Sequence, residues 1–285
     1  MKKLFSLILV LALALSLVAF AEEDTETEVI KTIVIGATAT PHAEILEYIA
    51  DDMAALGYPL EIVIFTDYNL PNAAVASGEL DANYFAHIPF IDSYNESVSE
   101  DEQVVAVIGV HYEPFGIYSN KYTSLDEVPE GATIVIPNDA SNETRALFLL
   151  QSAGLITLPE DSSPTDELNI TDIVEDNGYV ITDIDASQTV STLDDADLVV
   201  INGNYALDAG LSPLNDSLFY EPSESEAAEL YANYVVVRPE DVDADWVEAL
   251  RTCLCSEKVY EFITENEDYA GGVIPYFTLE SDDEE

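Results

Sequence analysis

Basic residues are scarce in this 285-residue chain: 8 Lys plus Arg stand against 57 Asp plus Glu, giving a formal net charge of −49. A field of this sign repels nucleic-acid phosphates and anionic lipid headgroups, so we expect no nucleic-acid partner. The acidic excess is typical of a solvated surface; a calcium site is the alternative, but no EF-hand-type loop is present. Because the only guanidinium groups are those of Arg145, Arg238 and Arg251, an arginine in a pocket would be conspicuous.

Catalytic motifs are also lacking. The three histidines, His42, His87 and His111, form no H-E-x-x-H metal pattern. The chain contains no G-x-S-x-G elbow, P-loop or G-x-G-x-x-G fingerprint. We therefore expect no enzymatic activity, no cofactor and no metal, and we keep an extracytoplasmic enzyme only as an alternative.

Cysteine is limited to Cys253 and Cys255 in a stretch predicted to be helical. Residues two apart project to different faces of a helix, so the pair cannot form a disulfide without distorting it. We expect two reduced thiols in the core. A metal or redox role is weakly supported, since neither a histidine nor a second cysteine pair is close in sequence.

One long apolar run occurs, from Leu4 to Phe20, between Lys2-Lys3 and a small-x-small site at Ala19-Phe20-Ala21. This arrangement predicts a secretory signal peptide over residues 1–21, although the run is also long enough to remain as an uncleaved anchor. Residues 22–30 form an acidic linker and residues 282–285 an acidic tail. We expect an exported protein, located in the periplasm, on the outer face of the cell membrane, or secreted.

The remaining sequence alternates short β-branched runs with helical periods. Length alone suggests about two domains. The alternation predicts an α/β fold with mostly parallel sheets flanked by helices. Predicted strands cover residues 32–35, 60–65, 80–85, 104–110, 133–136, 198–201 and 234–237. Predicted helices run from Pro41 to Gly57 and over residues 71–77, 142–153 and 243–265, the last as one or two helices.

Aromatic and amide side chains follow the predicted strands, where open α/β sheets bind ligands. Arg145, which we expect in the first turn of a helix, could hold a carboxylate bidentately; a surface ion pair is the alternative. Asn142 and Asn202 offer both donors and acceptors, although the latter could belong to a simple turn. Other strand-end side chains could enclose an apolar group, including one that contains sulfur. The alternative is that the histidine among them is structural and the aromatic rings only pack in the core. These residues are Tyr68, Phe85 and His87.

Several longer segments occur in a characteristic order. They are Gly36-Ala37-Thr38, Pro41-His42-Ala43-Glu44-Ile45, Phe65-Thr66-Asp67-Tyr68, Asp81-Ala82-Asn83-Tyr84-Phe85-Ala86-His87-Ile88-Pro89, Pro137-Asn138-Asp139, Ser141-Asn142, Arg145-Ala146-Leu147 and Asn202-x-Asn204-Tyr205-Ala206. From about residue 32 to about residue 264 the chain resembles the NlpA/MetQ family of methionine-binding transport lipoproteins. It departs from that family in having Ala86 and Ala140 where Gln and Pro are usual, and Ala19-Phe20-Ala21-Glu22 in place of a lipobox cysteine.

The resemblance implies a two-lobed, type II periplasmic-binding-protein fold, with residues 31–112 plus 233–281 as one lobe and residues 113–232 as the other. It implies a monomer that delivers methionine to an ABC permease and its ATPase. The implied aromatic and imidazole walls are Tyr68, Phe85 and His87. Arg145 and Asn142 would hold the carboxylate, while Asn202 and Asn233 would hold the amino-acid head group. A receptor for a methionine-containing dipeptide or another small amino acid is the alternative; an adhesin or scaffold is a further one.

Overall fold

The computed structural model describes residues 29–222 and 229–279. The predicted signal peptide, the acidic tail and most of the acidic linker lie outside the described residues. Within the described ranges, no helix is both long enough and apolar enough to cross a membrane. The chain forms two mixed β-sheets flanked by helices, which confirms the predicted α/β fold.

The strands and helices are as follows. The strands are β1 (Ile33–Thr38), β2 (Leu60–Phe65), β3 (Ala82–His87), β4 (Val105–Tyr112), β5 (Gly116–Tyr118), β6 (Thr133–Pro137), β7 (Val180–Ile184), β8 (Leu198–Ile201), β9 (Phe219–Tyr220), β10 (Asn233–Val237) and β11 (Ile274–Pro275). The α-helices whose bounds are described are α1 (Glu44–Tyr48), α2 (Ala50–Ala55), α3 (Pro71–Ala76), α4 (Ile88–Ser97), α5 (Ala140–Ser152), α6 (Gly203–Asp208), α7 (Asp245–Leu254) and α8 (Glu257–Glu265).

The first sheet has the strand order β11-β4-β10-β3-β1-β2. Its strands β2, β1 and β3 are parallel neighbours, whereas β10 runs antiparallel between β3 and β4. The second sheet has the order β7-β6-β8-β5-β9, with β6 parallel to both β7 and β8 and with β5 antiparallel to its neighbours. In each sheet most strands point the same way, so their carboxyl ends lie along a common edge.

Each sheet has its own hydrophobic core. Ile35 and Tyr84 pack with Trp246 of α7 beneath the first sheet, while Ile134 and Leu147 pack within the second. The chain passes from the first sheet to the second after β4 and returns before β10. The predicted lobe boundaries at residues 112/113 and 232/233 fall in these two crossovers and stay predictions.

Helix α5 begins earlier than the sequence pattern indicates. Asp139 caps it, since its carboxylate accepts a hydrogen bond of 3.0 Å from the backbone N–H of Asn142. The helix therefore starts at Ala140 rather than at Asn142. The expectation that Arg145 lies in the first turn was wrong: it lies in the second turn, where free backbone N–H groups no longer point at a ligand.

The helix predicted from Pro41 to Gly57 is divided into three parts. A π-helical turn covers Ala39–Ala43, with Thr40 in an extended conformation, and α1 and α2 follow. Gly57 ends the segment with a φ of +87°, a conformation that favours glycine. The two cysteines are both free; Cys253 is buried in α7 and Cys255 is half-buried just after it.

Candidate ligand-binding site

A small cavity lies where strand ends of the two sheets meet, and it contains all seven of the predicted site residues. Its walls are Tyr68, Phe85, His87, Phe90, Glu113, Asn142, Arg145, Asn202, Gly203, Asn204 and Asn233. Strands β3 and β10, the loop after β2 and α4 supply the aromatic rings, His87 and Asn233; α5, the segment that leads from β8 into α6, and the β4–β5 connection supply the others. The sequence predictions missed Phe90, Glu113, Gly203 and Asn204.

The cavity is narrow, with a volume of about 20 Å³ for the centre of a water-sized sphere. That is about the room one water molecule requires. Two direct hydrogen bonds help to keep the walls together. Tyr68 Oη donates to Asn204 Oδ1 at 2.5 Å, and His87 Nε2 lies 3.2 Å from Asn142 Oδ1. A larger molecule can enter only if these walls separate.

One wall of the cavity is aromatic. The ring centroids of Tyr68 and Phe85 lie 5.6 Å apart, as do those of Phe85 and Phe90. Tyr205 of α6 stacks on Tyr68 from the opposite side of the cavity, with their ring centroids 5.0 Å apart. These separations are typical of favourable aromatic pairs. The wall can pack an unbranched apolar or thioether chain, because sulfur makes favourable contacts with ring edges.

His87 connects the aromatic wall to the polar one. It is the last residue of β3 and caps α4, since its Nδ1 accepts a 3.2 Å hydrogen bond from the backbone N–H of Phe90. The ring proton is therefore on Nε2, which donates to Asn142 Oδ1. Burial, and secondly the charge of Arg145, lowers the pKa of His87 to about 3. The side chain is neutral at ordinary pH.

The amide groups form a network with one free acceptor. Asn142 Oδ1 also receives Asn202 Nδ2 at 3.0 Å, while Asn142 Nδ2 donates to both carboxylate oxygens of Asp139, at 2.9 and 3.1 Å. Asn142 is thereby fully used in holding the wall. Asn202 Oδ1 is buried and has no hydrogen-bond partner among the described residues. An unpaired buried acceptor is costly, so a donor in the cavity would be bound favourably.

Arg145 is buried and forms an ion pair. Its Nε and Nη2 donate to the two carboxylate oxygens of Glu221 at 2.9 and 2.6 Å, and Nη2 also donates to the carbonyl oxygen of Glu113. Its guanidinium lies over the rings of Phe115 and Tyr231, 4.5 and 4.3 Å from their centroids. The alternative of an ion pair is thus realised, although in the interior rather than at the surface.

This ion pair determines what Arg145 can offer to a ligand. Burial alone would lower the pKa of Arg145, but the charge and hydrogen bonds of Glu221 raise it above its ordinary value. The guanidinium therefore stays charged. Because Nε and Nη2 are already occupied, the expected two-atom clamp on a ligand carboxylate would have to displace Glu221. Nη1 makes no hydrogen bond to another described residue and remains for an anion.

A buried cluster adjoins the cavity: Glu113 belongs to the wall, and His42 and His111 lie behind it. His42 Nε2 lies 3.3 Å from Asn233 Oδ1, and His111 Nε2 lies 2.7 Å from Glu113 Oε1. These three side chains have the chemistry of metal ligands, and their ligand atoms all lie within 4.8 Å of one another. His42 does not line the cavity; it contacts the wall residues Asn233 and Glu113 from behind.

The chain has two β-sheets flanked by helices, and their strand ends enclose a polar and aromatic cavity. This arrangement defines a solute-binding protein of the two-lobed periplasmic-binding-protein type. The profile of the NlpA lipoprotein family matches residues 33–277. The chain belongs to the NlpA lipoprotein family.

Named relatives agree with this assignment. The methionine-binding lipoprotein MetQ of Bacillus subtilis is 36% identical, over 96% of this chain and 99% of its own length. The D-methionine-binding lipoprotein MetQ of Escherichia coli K12 is 35% identical, over 89% and 90% respectively. A nutrient-binding protein of Burkholderia cenocepacia, solved bound to methionine, is 36% identical with a TM-score of 0.80, covering 86% of this chain and all (100%) of its own.

Proposed function

We propose that this protein is the extracytoplasmic receptor of an ABC importer for methionine. The observation that carries the proposal is the cavity itself, in which an aromatic wall faces a charged guanidinium and a set of amides. A thioether chain would pack against Tyr68, Phe85 and Phe90, while Arg145 Nη1 would bind the carboxylate. Relatives named for methionine binding support this choice of ligand.

Binding would require the two lobes to separate, because the cavity is too small for an amino acid. Opening would break the contacts of Tyr68 with Asn204 and of His87 with Asn142, and closing would replace them with contacts to the ligand. The two crossovers between the sheets, after β4 and before β10, are the natural hinges. The closed, liganded form would then be recognised by the permease.

Calorimetric titration of the purified protein with the amino acids tests the ligand. We expect methionine to bind most tightly and to give the largest thermal stabilisation. Titration with both enantiomers and with glycyl-methionine belongs in the same series. If glycyl-methionine or another amino acid ranks first, the proposed ligand is wrong and the dipeptide or general amino-acid alternative replaces it. Turnover of a bound amino acid would instead support an enzyme.

We also propose that the protein is exported and acts in the periplasm, at the outer face of the cell membrane, or after secretion. The relatives are named as lipoproteins, whereas the predicted cleavage site here is followed by Glu22 rather than by a cysteine. Mass spectrometry of the protein from the native membrane fraction and from the soluble extracytoplasmic fraction tests this. We expect a mature chain that begins at Glu22 and carries no lipid. A chain that still contains residues 1–21 would show that the segment remains as an uncleaved anchor.

A further inference from the structure

The guanidinium of Arg145 lies between the two crossovers that connect the sheets. Phe115 in the first crossover and Tyr231 in the second place their ring centroids 4.5 and 4.3 Å from Arg145 Cζ. The Nη2 group donates to the carbonyl oxygen of Glu113 in the first crossover at 2.9 Å. Together with Nε, it also donates to Glu221, which begins the second crossover directly after β9. Each crossover therefore supplies one ring and one hydrogen-bond acceptor to the same guanidinium.

Glu221 is itself held by the end of β4 and by the first crossover. Tyr112, the last residue of β4, donates from Oη to Glu221 Oε2 at 2.7 Å. The backbone N–H of Phe115 donates to the same oxygen at 3.0 Å, and the backbone N–H of Glu221 donates to the carbonyl oxygen of Phe115, also at 3.0 Å. Both Tyr112 and Glu221 are buried. Glu221 therefore joins the two crossovers and presents a fixed carboxylate to Arg145.

Neither Tyr112 nor Glu221 lines the ligand cavity, whereas Arg145 does. The two residues can therefore act on a ligand only through the guanidinium, whose Nη1 is not bonded to another described residue. An arginine side chain has many rotamers, and fixing its planar group before the ligand arrives lowers the entropy cost of binding. Because hydrogen bonds to charged groups are strong, removing the Tyr112 hydroxyl would loosen Glu221, and Glu221 would then hold Arg145 less firmly.

We propose that Tyr112 and Glu221 are positioning residues that hold Arg145 for the ligand carboxylate and that connect the binding of this carboxylate to both crossovers. This inference rests on the proposed function as an amino-acid receptor. A carboxylate bound at Nη1 restricts the motion of Arg145, so the hydrogen bonds between Phe115 and Glu221 open less often. A ligand that fills the same cavity without a negative charge lacks this effect.

The test compares methionine with methioninamide, which keeps the thioether and the amine but has a neutral amide in place of the carboxylate. Both are titrated calorimetrically into the wild-type protein, Tyr112→Phe and Tyr118→Phe. Tyr118 is a matched control, because it is also a buried tyrosine but its hydroxyl has no hydrogen-bond partner among the described residues. We expect Tyr112→Phe to bind methionine about tenfold more weakly and methioninamide almost unchanged. The control should bind both ligands as the wild-type protein does.

Hydrogen exchange measures the connection to the crossovers. The backbone amides of Phe115 and Glu221 are followed by NMR in the wild-type protein, first free and then saturated with each ligand. Methionine should slow the exchange of these amides more than methioninamide does, and in Tyr112→Phe this difference should shrink. Equal protection by the two ligands in the wild-type protein would show that the crossovers do not respond to the carboxylate.

The outcomes separate this inference from the function on which it rests. If the wild-type protein and Tyr112→Phe bind methionine equally well, the positioning role is wrong while the receptor function stands. If the wild-type protein does not bind methionine, the proposed function itself fails. A purely structural role of Tyr112 would lower the free energy of unfolding in urea and weaken both ligands equally. If methioninamide binds too weakly for a ratio, the methionine affinities of the two tyrosine variants decide. If Tyr112→Phe does not fold, Glu221→Asp, which withdraws the carboxylate from Arg145, tests the same ratio.

Discussion

The buried pair of Arg145 and Glu221 predicts a specific pattern of stability and binding in three variants. Arg145 donates two hydrogen bonds to Glu221, from Nε and Nη2, and Glu221 also accepts hydrogen bonds from Tyr112 Oη and from the backbone N–H of Phe115. Replacing Arg145 by Met leaves the Glu221 charge buried without its counterion. Breaking a buried pair in this way costs about 3–5 kcal/mol of the free energy of unfolding.

Removing both charges should have a different effect on stability. A buried ion pair replaced as a whole by neutral groups is often neutral or even stabilising. We therefore expect Arg145→Met/Glu221→Gln to recover most of the stability that Arg145→Met loses. Methionine affinity should remain reduced by about 2–5 kcal/mol in both variants, because neither has the guanidinium that binds the carboxylate.

The assays are urea unfolding for stability and calorimetry for binding, with Glu221→Gln as the third variant. Glu221→Gln alone should be destabilised, since it leaves a buried guanidinium, but it should still bind methionine. A double variant no more stable than Arg145→Met would refute the charge-compensation argument. A double variant with wild-type affinity would show that Arg145 does not contact the ligand.

Three further predictions concern Gly203, His87 and the net charge of the chain. Gly203→Ala should weaken methionine binding by about tenfold or more in a calorimetric titration, because a Cβ there would lie 2.5 Å from Glu113 Cβ and would shift the cavity wall; unchanged affinity would mean that this wall does not contact the ligand. The pKa of His87 is lowered to about 3, so the unfolded chain binds protons more readily than the folded one. Stability should therefore fall as pH falls from about 6.5 towards 3. The raised pKa values of Glu113 and Asp139 change stability in the opposite direction. The contribution of His87 is therefore measured by comparison: the midpoint of urea unfolding should depend less steeply on pH in His87→Gln than in the wild-type protein. An identical pH dependence in the two proteins would contradict this prediction. With a net charge of −49, added sodium chloride should raise the thermal midpoint by screening self-repulsion, whereas an uncharged osmolyte of equal osmolarity serves as the control; no excess effect of salt would show that the charges are already well separated.

Much of the fold could be predicted from sequence because the buried strands are apolar runs. Strands β2 and β8 were predicted at their observed bounds. Strands β5, β7, β9 and β11 were missed. The edge strand β7 has mostly exposed or half-exposed side chains, and the others have only two or three residues, so neither type gives a period-two signal.

Most residues of the candidate site could also be predicted from the sequence, since the ends of the strands can be located in it. Glu113 was missed although the same rule applies to it, because it follows β4. Attention to the His111-x-Glu113 spacing after that strand would have found it. The partner of Arg145 could not be predicted: Glu221 lies 76 residues away, in a crossover without a motif, and only tertiary packing brings the two together.

The most direct test of the account is a crystal structure of the protein grown with methionine. We expect the thioether to lie against Tyr68 and Phe85, the carboxylate at Arg145, and the amino-acid head group beside Asn202 and Asn233. Methionine bound outside the space between the two sheets, or in that space with its carboxylate turned away from Arg145, would contradict this expectation.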